Sequence, residues 1–178
     1  MYEAAMKIHN RVLRAAFVAK IAHDKQRRKY NGRPYVTHPG RVASVLSVHP
    51  EADEDLICVG WLHDVLEDTW VSVELLEMMF GKRVAELVVE VTNPSKGMDA
   101  SRKTRKSVDL DHLAKASKQA KLLKLIDRLD NLEELRGAPG DFKKLYSKES
   151  LTLAEVIGDA DLELKKKLID SALLILKG

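Results

Sequence analysis

His63, Asp64, Glu67 and Asp68 crowd an imidazole and three carboxylates into an otherwise apolar run, Trp61-Leu-His-Asp-Val-Leu-Glu-Asp-Thr69. At about 100° per residue, a helix through this run gathers Leu56, Val59, Leu62, Val65 and Leu66 on one side, extended by Cys58 and Trp61. The four polar side chains fill one contiguous wedge, His63 above Glu67 and Asp64 above Asp68, because residues four apart on a helix are stacked neighbours. Three carboxylates this close repel one another. A divalent cation relieves that repulsion and accepts imidazole and carboxylate as ligands. The competing reading is a surface salt-bridge cluster, which the apolar background of the helix disfavours. Two ligands do not make a site, so further His or carboxylate donors must come from elsewhere.

Two places offer them. His38 precedes Pro39, whose restricted backbone fixes where the imidazole points; alone, it reads equally well as a capping histidine at a turn. Asp127 and Asn131 stack at i and i+4, set away from the stripe of Leu122, Ile126, Leu129 and Leu132. That pair is an ordinary polar helix face unless another element supplies the opposite side of a metal cleft. His23 reads as structural, and His9, His49 and His112 have no charged company that points to chemistry.

The elements that must carry these residues are helices with short connections. The apolar periodicity predicts helices over residues 3–24, 37–48, 53–68, 72–80, 82–91, 102–116, 118–136, 141–157 and 161–176. Asn31-Gly-Arg-Pro34 is a turn, Thr37 reads as an N-cap with Pro39 in the first helical turn, Ser72 as another cap, and Gly81 as a helix stop. The third helix carries the wedge and the 118–136 helix is expected to be the longest. Strand-like alternation is confined to about residues 30–36. The expected fold is an all-α helical bundle of about eight to ten helices around one metal cleft, in a single domain over residues 1–178.

At 178 residues, the chain is long enough for one full core, and 45% apolar with 32% charged residues excludes a disordered protein. The lone Cys58 allows no internal disulfide, and neither a signal peptide nor a membrane-length apolar stretch is present, so a cytoplasmic protein with no membrane partner is expected. The net charge of +3 conceals three basic clusters: Lys25 with Arg27 to Lys29, Arg102 with Lys103, Arg105 and Lys106, and Lys165 to Lys167. With few aromatics and no continuous basic stripe, nucleic acid is not the expected partner. The first two clusters suit a polyphosphate, or are simply solvated helix faces.

His38-Pro39, His63-Asp64, Glu67-Asp68 and Asp127-Arg-Leu-Asp-Asn131, in this order and spacing, resemble the HD-domain alarmone hydrolases, both the hydrolase half of the Rel/Spo-type ppGpp enzymes and the stand-alone small alarmone hydrolases. Ala22-His-Asp-Lys-Gln-Arg-Arg28, Gly32-Arg-Pro-Tyr-Val-Thr-His-Pro39, Phe80-Gly81 with Val84, and Lys124-Leu-Ile-Asp127 add to the resemblance, which covers about residues 8–136. It implies one divalent ion, usually Mn2+, held by His38, His63, Asp64 and Asp127. Glu67 and Asp68 match the acidic pair that positions and activates the attacking water. Arg28 matches a nucleotide contact, Asn131 a pocket residue, and Arg102, Arg105 and Lys106 fall where basic residues face the pyrophosphate. Lys144, Tyr146 and Lys148 are candidates for further contacts from the C-terminal helices.

The implied reaction cuts the bond between the ribose 3′ oxygen and the first phosphate of ppGpp or pppGpp, giving pyrophosphate and GDP or GTP. Lys25, Trp61 and Asp130 depart from the family pattern, which bears on substrate preference more than on activity. Two other readings stand beside this one. The same metal site can serve a ppApp-type alarmone or the 2′-phosphate of NADPH; or the fold can be a nucleotide-sensing module without catalysis, whose signature, a lost ligand or acidic residue, is not seen. The chain ends about where a stand-alone hydrolase is expected to end.

Overall fold

Polar side chains start most of the helices. In a computed structural model that describes residues 1–177, Asn10, Asp53, Ser72, Ser101, Ser117 and Asp161 each accept a backbone N–H three residues ahead. Each such cap satisfies an N–H that the helix itself leaves unpaired, and contributes about 0.5–2 kcal/mol. The helices are α1 (Tyr2–Met6), α2 (Arg11–Ala22), α3 (Thr37–Leu46), α4 (Glu54–Leu62), α5 (Val65–Asp68), α6 (Val73–Phe80), α7 (Lys82–Val91), α8 (Arg102–Ala114), α9 (Lys118–Glu134), α10 (Gly140–Ile157) and α11 (Leu162–Lys177). Among the described residues the one β feature is an isolated antiparallel bridge between Arg27 and Pro34, so the chain is all-α. No described helix is long and apolar enough to cross a membrane.

The chain packs as two units. The first holds α1 to α7, with residues 29–32 excluded. Its centre is α4, which packs against α2, α3 and α7 and buries Leu56, Val59 and Leu62 completely, beside Val42 and Leu46 of α3 and Ala15 of α2. Gly60 makes the α3–α4 approach possible: a Cβ there would lie 2.8 Å from Leu46 Cδ1 and 3.0 Å from Ala43 Cα. The second unit contains residues 29–32 and α8 to α11. In it α9, α10 and α11 pack on one another and α8 packs on α10, around Leu122, Leu123, Leu125, Leu153, Ile157 and Leu168, all at most 2% exposed.

Several expected elements are corrected. The helix over 3–24 is two helices, because Asn10 takes the Leu13 N–H and starts α2 afresh. Thr37 is not a cap; it lies inside α3 and its hydroxyl donates to the Pro34 carbonyl at 2.8 Å. The helix over 53–68 is also two, with His63 and Asp64 in a turn between α4 and α5. The longest helix is α10, not α9, since the latter tightens at its end into a 3-10 turn, Leu135–Gly137.

Candidate metal centre

The break between α4 and α5 shapes the site in the first unit. His63 ends α4, and its Nδ1 lies 2.9 Å from the Gly60 carbonyl. A carbonyl only accepts, so Nδ1 carries the proton and the Nε2 lone pair faces the opposite way. His38, in the first turn of α3 and 1% exposed, presents its own Nε2 3.2 Å from that of His63, with the two rings edge to face. Asp64 Oδ2 completes a triangle, 3.1 Å from His63 Nε2 and 3.5 Å from His38 Nε2. Donors held about 2.1 Å from one small divalent ion, roughly 90–110° apart, are separated by about 3.0–3.4 Å. Two sides of the triangle fall within that spacing and the third, at 3.5 Å, lies just beyond it; its two imidazoles and one carboxylate are a suitable donor set, and the three residues fit a metal ion.

Around these donors stand residues to which no sequence motif assigns a role. Tyr35 Oη donates to Asp64 Oδ2 at 2.8 Å and lies 3.4 Å from Asp68 Oδ2. Burial, and next the Asp64 carboxylate, push its phenol well above the ordinary range, so it remains a donor. Its ring stacks on His23 at 4.8 Å and carries the Arg28 guanidinium over its face at 5.3 Å. Asp68 is exposed at its side chain, while its backbone carbonyl accepts from Gln26 Nε2 at 2.6 Å. Glu67 is held by Asn93. Tyr35 lies in the Gly32 to Pro39 stretch that adds to the family resemblance, with no role of its own assigned there, and Asn93 has no such signal.

The second unit holds the remaining candidates. Asp127 is buried on α9, with Oδ2 2.6 Å from Lys124 Nζ and Oδ1 accepting from Asn131 Nδ2 at 2.6 Å. The i and i+4 pairing expected of Asp127 and Asn131 is present, and Lys124 joins it. On α8, Arg102 is gripped by both oxygens of Glu149 at 2.7 and 2.8 Å, Arg105 donates to the Ala100 carbonyl, and Lys106 reaches Asp109 at 3.1 Å. Arg102 also lies over Phe142, which neighbours both Tyr30 and Tyr146; Arg128 lies 4.4 Å from the centre of the Tyr146 ring. Of the C-terminal candidates, Tyr146 belongs to this cation–aromatic row, while Lys144 and Lys148 are exposed.

Residues 15–154 match the HD domain. A probable guanosine-3′,5′-bis(diphosphate) 3′-pyrophosphohydrolase of Synechocystis is 46% identical over 88 residues, which span 49% of this chain and only 11% of that protein. The guanosine-3′,5′-bis(diphosphate) 3′-pyrophosphohydrolase MESH1 of Drosophila melanogaster is 42% identical over 101 residues, 56% of this chain and 55% of MESH1. A solved structure, described as a metazoan ortholog of SpoT that hydrolyzes ppGpp and plays a role in starvation responses, superposes with a TM-score of 0.79 at 33% identity, covering 92% of this chain and 94% of its own.

Proposed function

Because this chain belongs to the HD-domain family, we propose that it is a Mn2+-dependent guanosine-3′,5′-bis(diphosphate) 3′-pyrophosphohydrolase, converting ppGpp and pppGpp to GDP and GTP with release of pyrophosphate. The observation that carries the reading is the convergence of His38 Nε2, His63 Nε2 and Asp64 Oδ2 within 3.5 Å of one another, with the acidic pair Glu67-Asp68 beginning three residues after Asp64. The names of the MESH1 and Synechocystis relatives support the substrate. The HD-domain match across residues 15–154 supports one hydrolase domain over the chain.

In this reading His38, His63, Asp64 and Asp127 are the ligands of one divalent ion. When bound, the ion supplies Lewis acidity toward a phosphoryl oxygen and lowers the pKa of a water. The chain's own residues do the rest. His63 is locked as the tautomer that offers Nε2, and Tyr35 orients Asp64 through its hydroxyl. Glu67 and Asp68 receive the proton of the attacking water and align it with the 3′-phosphate. Arg28, Arg102, Arg105 and Lys106 balance the charge of the nucleotide and pyrophosphate, and Asn131 contacts the substrate. For Arg102 this means exchanging its Glu149 partner for phosphate oxygens.

The test is a turnover assay in Mn2+ across ppGpp, pppGpp, ppApp and NADPH, with the products identified. Pyrophosphate released from ppGpp, and lost in His63→Ala and Asp127→Ala, supports the reading. Orthophosphate as the sole product, or turnover confined to ppApp or NADPH, overturns it; tight ppGpp binding without turnover overturns it in favour of a sensing module.

A further inference from the structure

Glu67, three residues after Asp64 in the chain, is held from a distant helix end. Helix α7 makes its last bonds through the Thr92 N–H, to the carbonyls of Val88 and Val89. Thr92 leaves the helix at φ −74°, ψ 132°, and Pro94 disfavours a return to helical geometry at the residue before it. The Asn93 N–H is thereby withdrawn from the helical ladder. It donates instead to Glu67 Oε1 at 2.7 Å, while the Asn93 carboxamide donates from Nδ2 to Oε1 at 3.0 Å and to Oε2 at 3.2 Å. One residue thus supplies donors to both oxygens of a carboxylate 26 positions away in the chain. All of these atoms belong to the first unit.

Resting on the reading of Glu67 as a catalytic acid–base residue, we propose that Asn93 is a positioning residue that fixes the rotamer of the Glu67 carboxylate for hydrolysis. A glutamate has three side-chain torsions, and a half-buried one at the edge of a site otherwise samples several of them. Backbone and carboxamide donors arriving from one rigid helix end select a single orientation. The backbone half of this clamp survives any substitution except proline, while the carboxamide half is specific to Asn93.

That division makes the effect graded. Asn93→Ala keeps the backbone donor and should lower kcat about tenfold, within the range typical of residues that orient functional groups at metal sites. Asn93→Asp places a second carboxylate against Glu67 and should lower kcat roughly 100-fold. In both variants KM for ppGpp and the Mn2+ dissociation constant should stay within about twofold of wild type, because neither measures the orientation of Glu67. The deciding measurement is a double-mutant cycle under single-turnover conditions. Adding Asn93→Ala to Glu67→Ala should cost nothing further if Asn93 acts through Glu67. A kcat for Asn93→Ala within twofold of wild type, or the same loss in the Glu67→Ala background as in wild type, overturns the proposal. If Asn93→Asp does not fold, Asn93→Ala and the cycle decide alone. Wild-type protein that turns over no nucleotide defeats the functional reading and this proposal with it; an active wild type with an additive cycle defeats the proposal only.

Discussion

The Nε2 atoms of His38 and His63 face each other at 3.2 Å inside the first unit, both rings at most 1% exposed. Two imidazole nitrogens at that distance share at most one proton between them, while a cation satisfies both lone pairs and the Asp64 oxygen together. Metal binding should therefore stabilise the fold measurably. Mn2+ at 100 times its dissociation constant contributes about 2.7 kcal/mol, which for a chain of this size is a rise of roughly 5–10 °C in Tm. Differential scanning fluorimetry with EDTA and with Mn2+ checks this. His63→Ala should lose the increment, and an equal rise in that variant would remove His63 from the ligand set.

Tyr35→Phe deletes one hydroxyl and with it the donor to Asp64 Oδ2. The carboxylate loses the bond that orients it, so Mn2+ affinity and kcat/KM should each fall about tenfold. The ring contacts with His23 and Arg28 remain, so the melting temperature should move little. Unchanged affinity and turnover would mean that the backbone alone positions Asp64.

Gly60→Ala tests the approach of the two ligand-bearing helices. Alanine adds about 1 kcal/mol of helix propensity. Its Cβ, however, would meet the Ala43 backbone at 3.0 and 3.2 Å, and overpacking against atoms that cannot rotate away costs about 1–3 kcal/mol. The clash should prevail. Stability from urea denaturation should fall, and Mn2+ binding should weaken because α3 carries His38 and the Gly60 carbonyl orients His63. A variant as stable as wild type would show that α3 shifts at no cost.

His23 is the group whose titration should appear in stability. Its Nδ1 donates to Gln26 Oε1 at 2.7 Å, its Nε2 is buried with no hydrogen-bond partner, and burial lowers its pKa below the ordinary histidine value. The folded state thus takes up this proton at lower pH than the unfolded chain. Above about pH 6.5 neither state binds it. As pH falls below that value the unfolded chain protonates first and stability drops, by up to about 1.4 kcal/mol per pH unit, until the folded pKa is reached. Denaturant melts between pH 6.5 and 5.5 should show a steeper loss for wild type than for His23→Phe. Parallel slopes would show that His23 titrates alike in both states.

Much of this site was readable because helical periodicity separates ligands from core. Periodicity places Leu56, Val59 and Leu62 on the buried face of α4, and they are fully buried. His38, His63 and Asp64 come together as a donor set. What periodicity could not show was the turn at His63 and Asp64: both residues keep right-handed backbone angles, at φ −59° and −100°, and the pattern of apolar residues runs on through the break. The stacked wedge of the sequence reading is therefore replaced by a helix end, where His63 is oriented by a carbonyl and Asp64 by a phenol. The roles of Tyr35 and Asn93 have no local signature for a related reason. Each residue acts across 26 or more positions, Tyr35 through its hydroxyl and Asn93 through its backbone N–H and carboxamide, and no local pattern encodes that.

Lys124 and Asp127 allow a test of the proposed fourth ligand that does not depend on turnover. Their side chains are each 8% exposed and meet at 2.6 Å, an ion pair removed from water on α9. Breaking a buried pair from one side leaves an uncompensated charge and costs about 3–5 kcal/mol. Lys124→Met should therefore unfold well below wild type in EDTA, while Asn131 still donates to the Asp127 carboxylate. If Asp127 ligates the metal, Mn2+ replaces the missing ammonium as its countercharge. The variant should then gain more stability from Mn2+ than wild type gains, narrowing the gap between them, and its Mn2+ affinity should rise because no lysine competes for Oδ2. Asp127→Asn, which also ends the ion pair but offers a weaker ligand, should show no such excess. Equal Mn2+ increments in wild type and Lys124→Met would place Asp127 outside the metal's ligands and leave the pair a structural feature of the second unit.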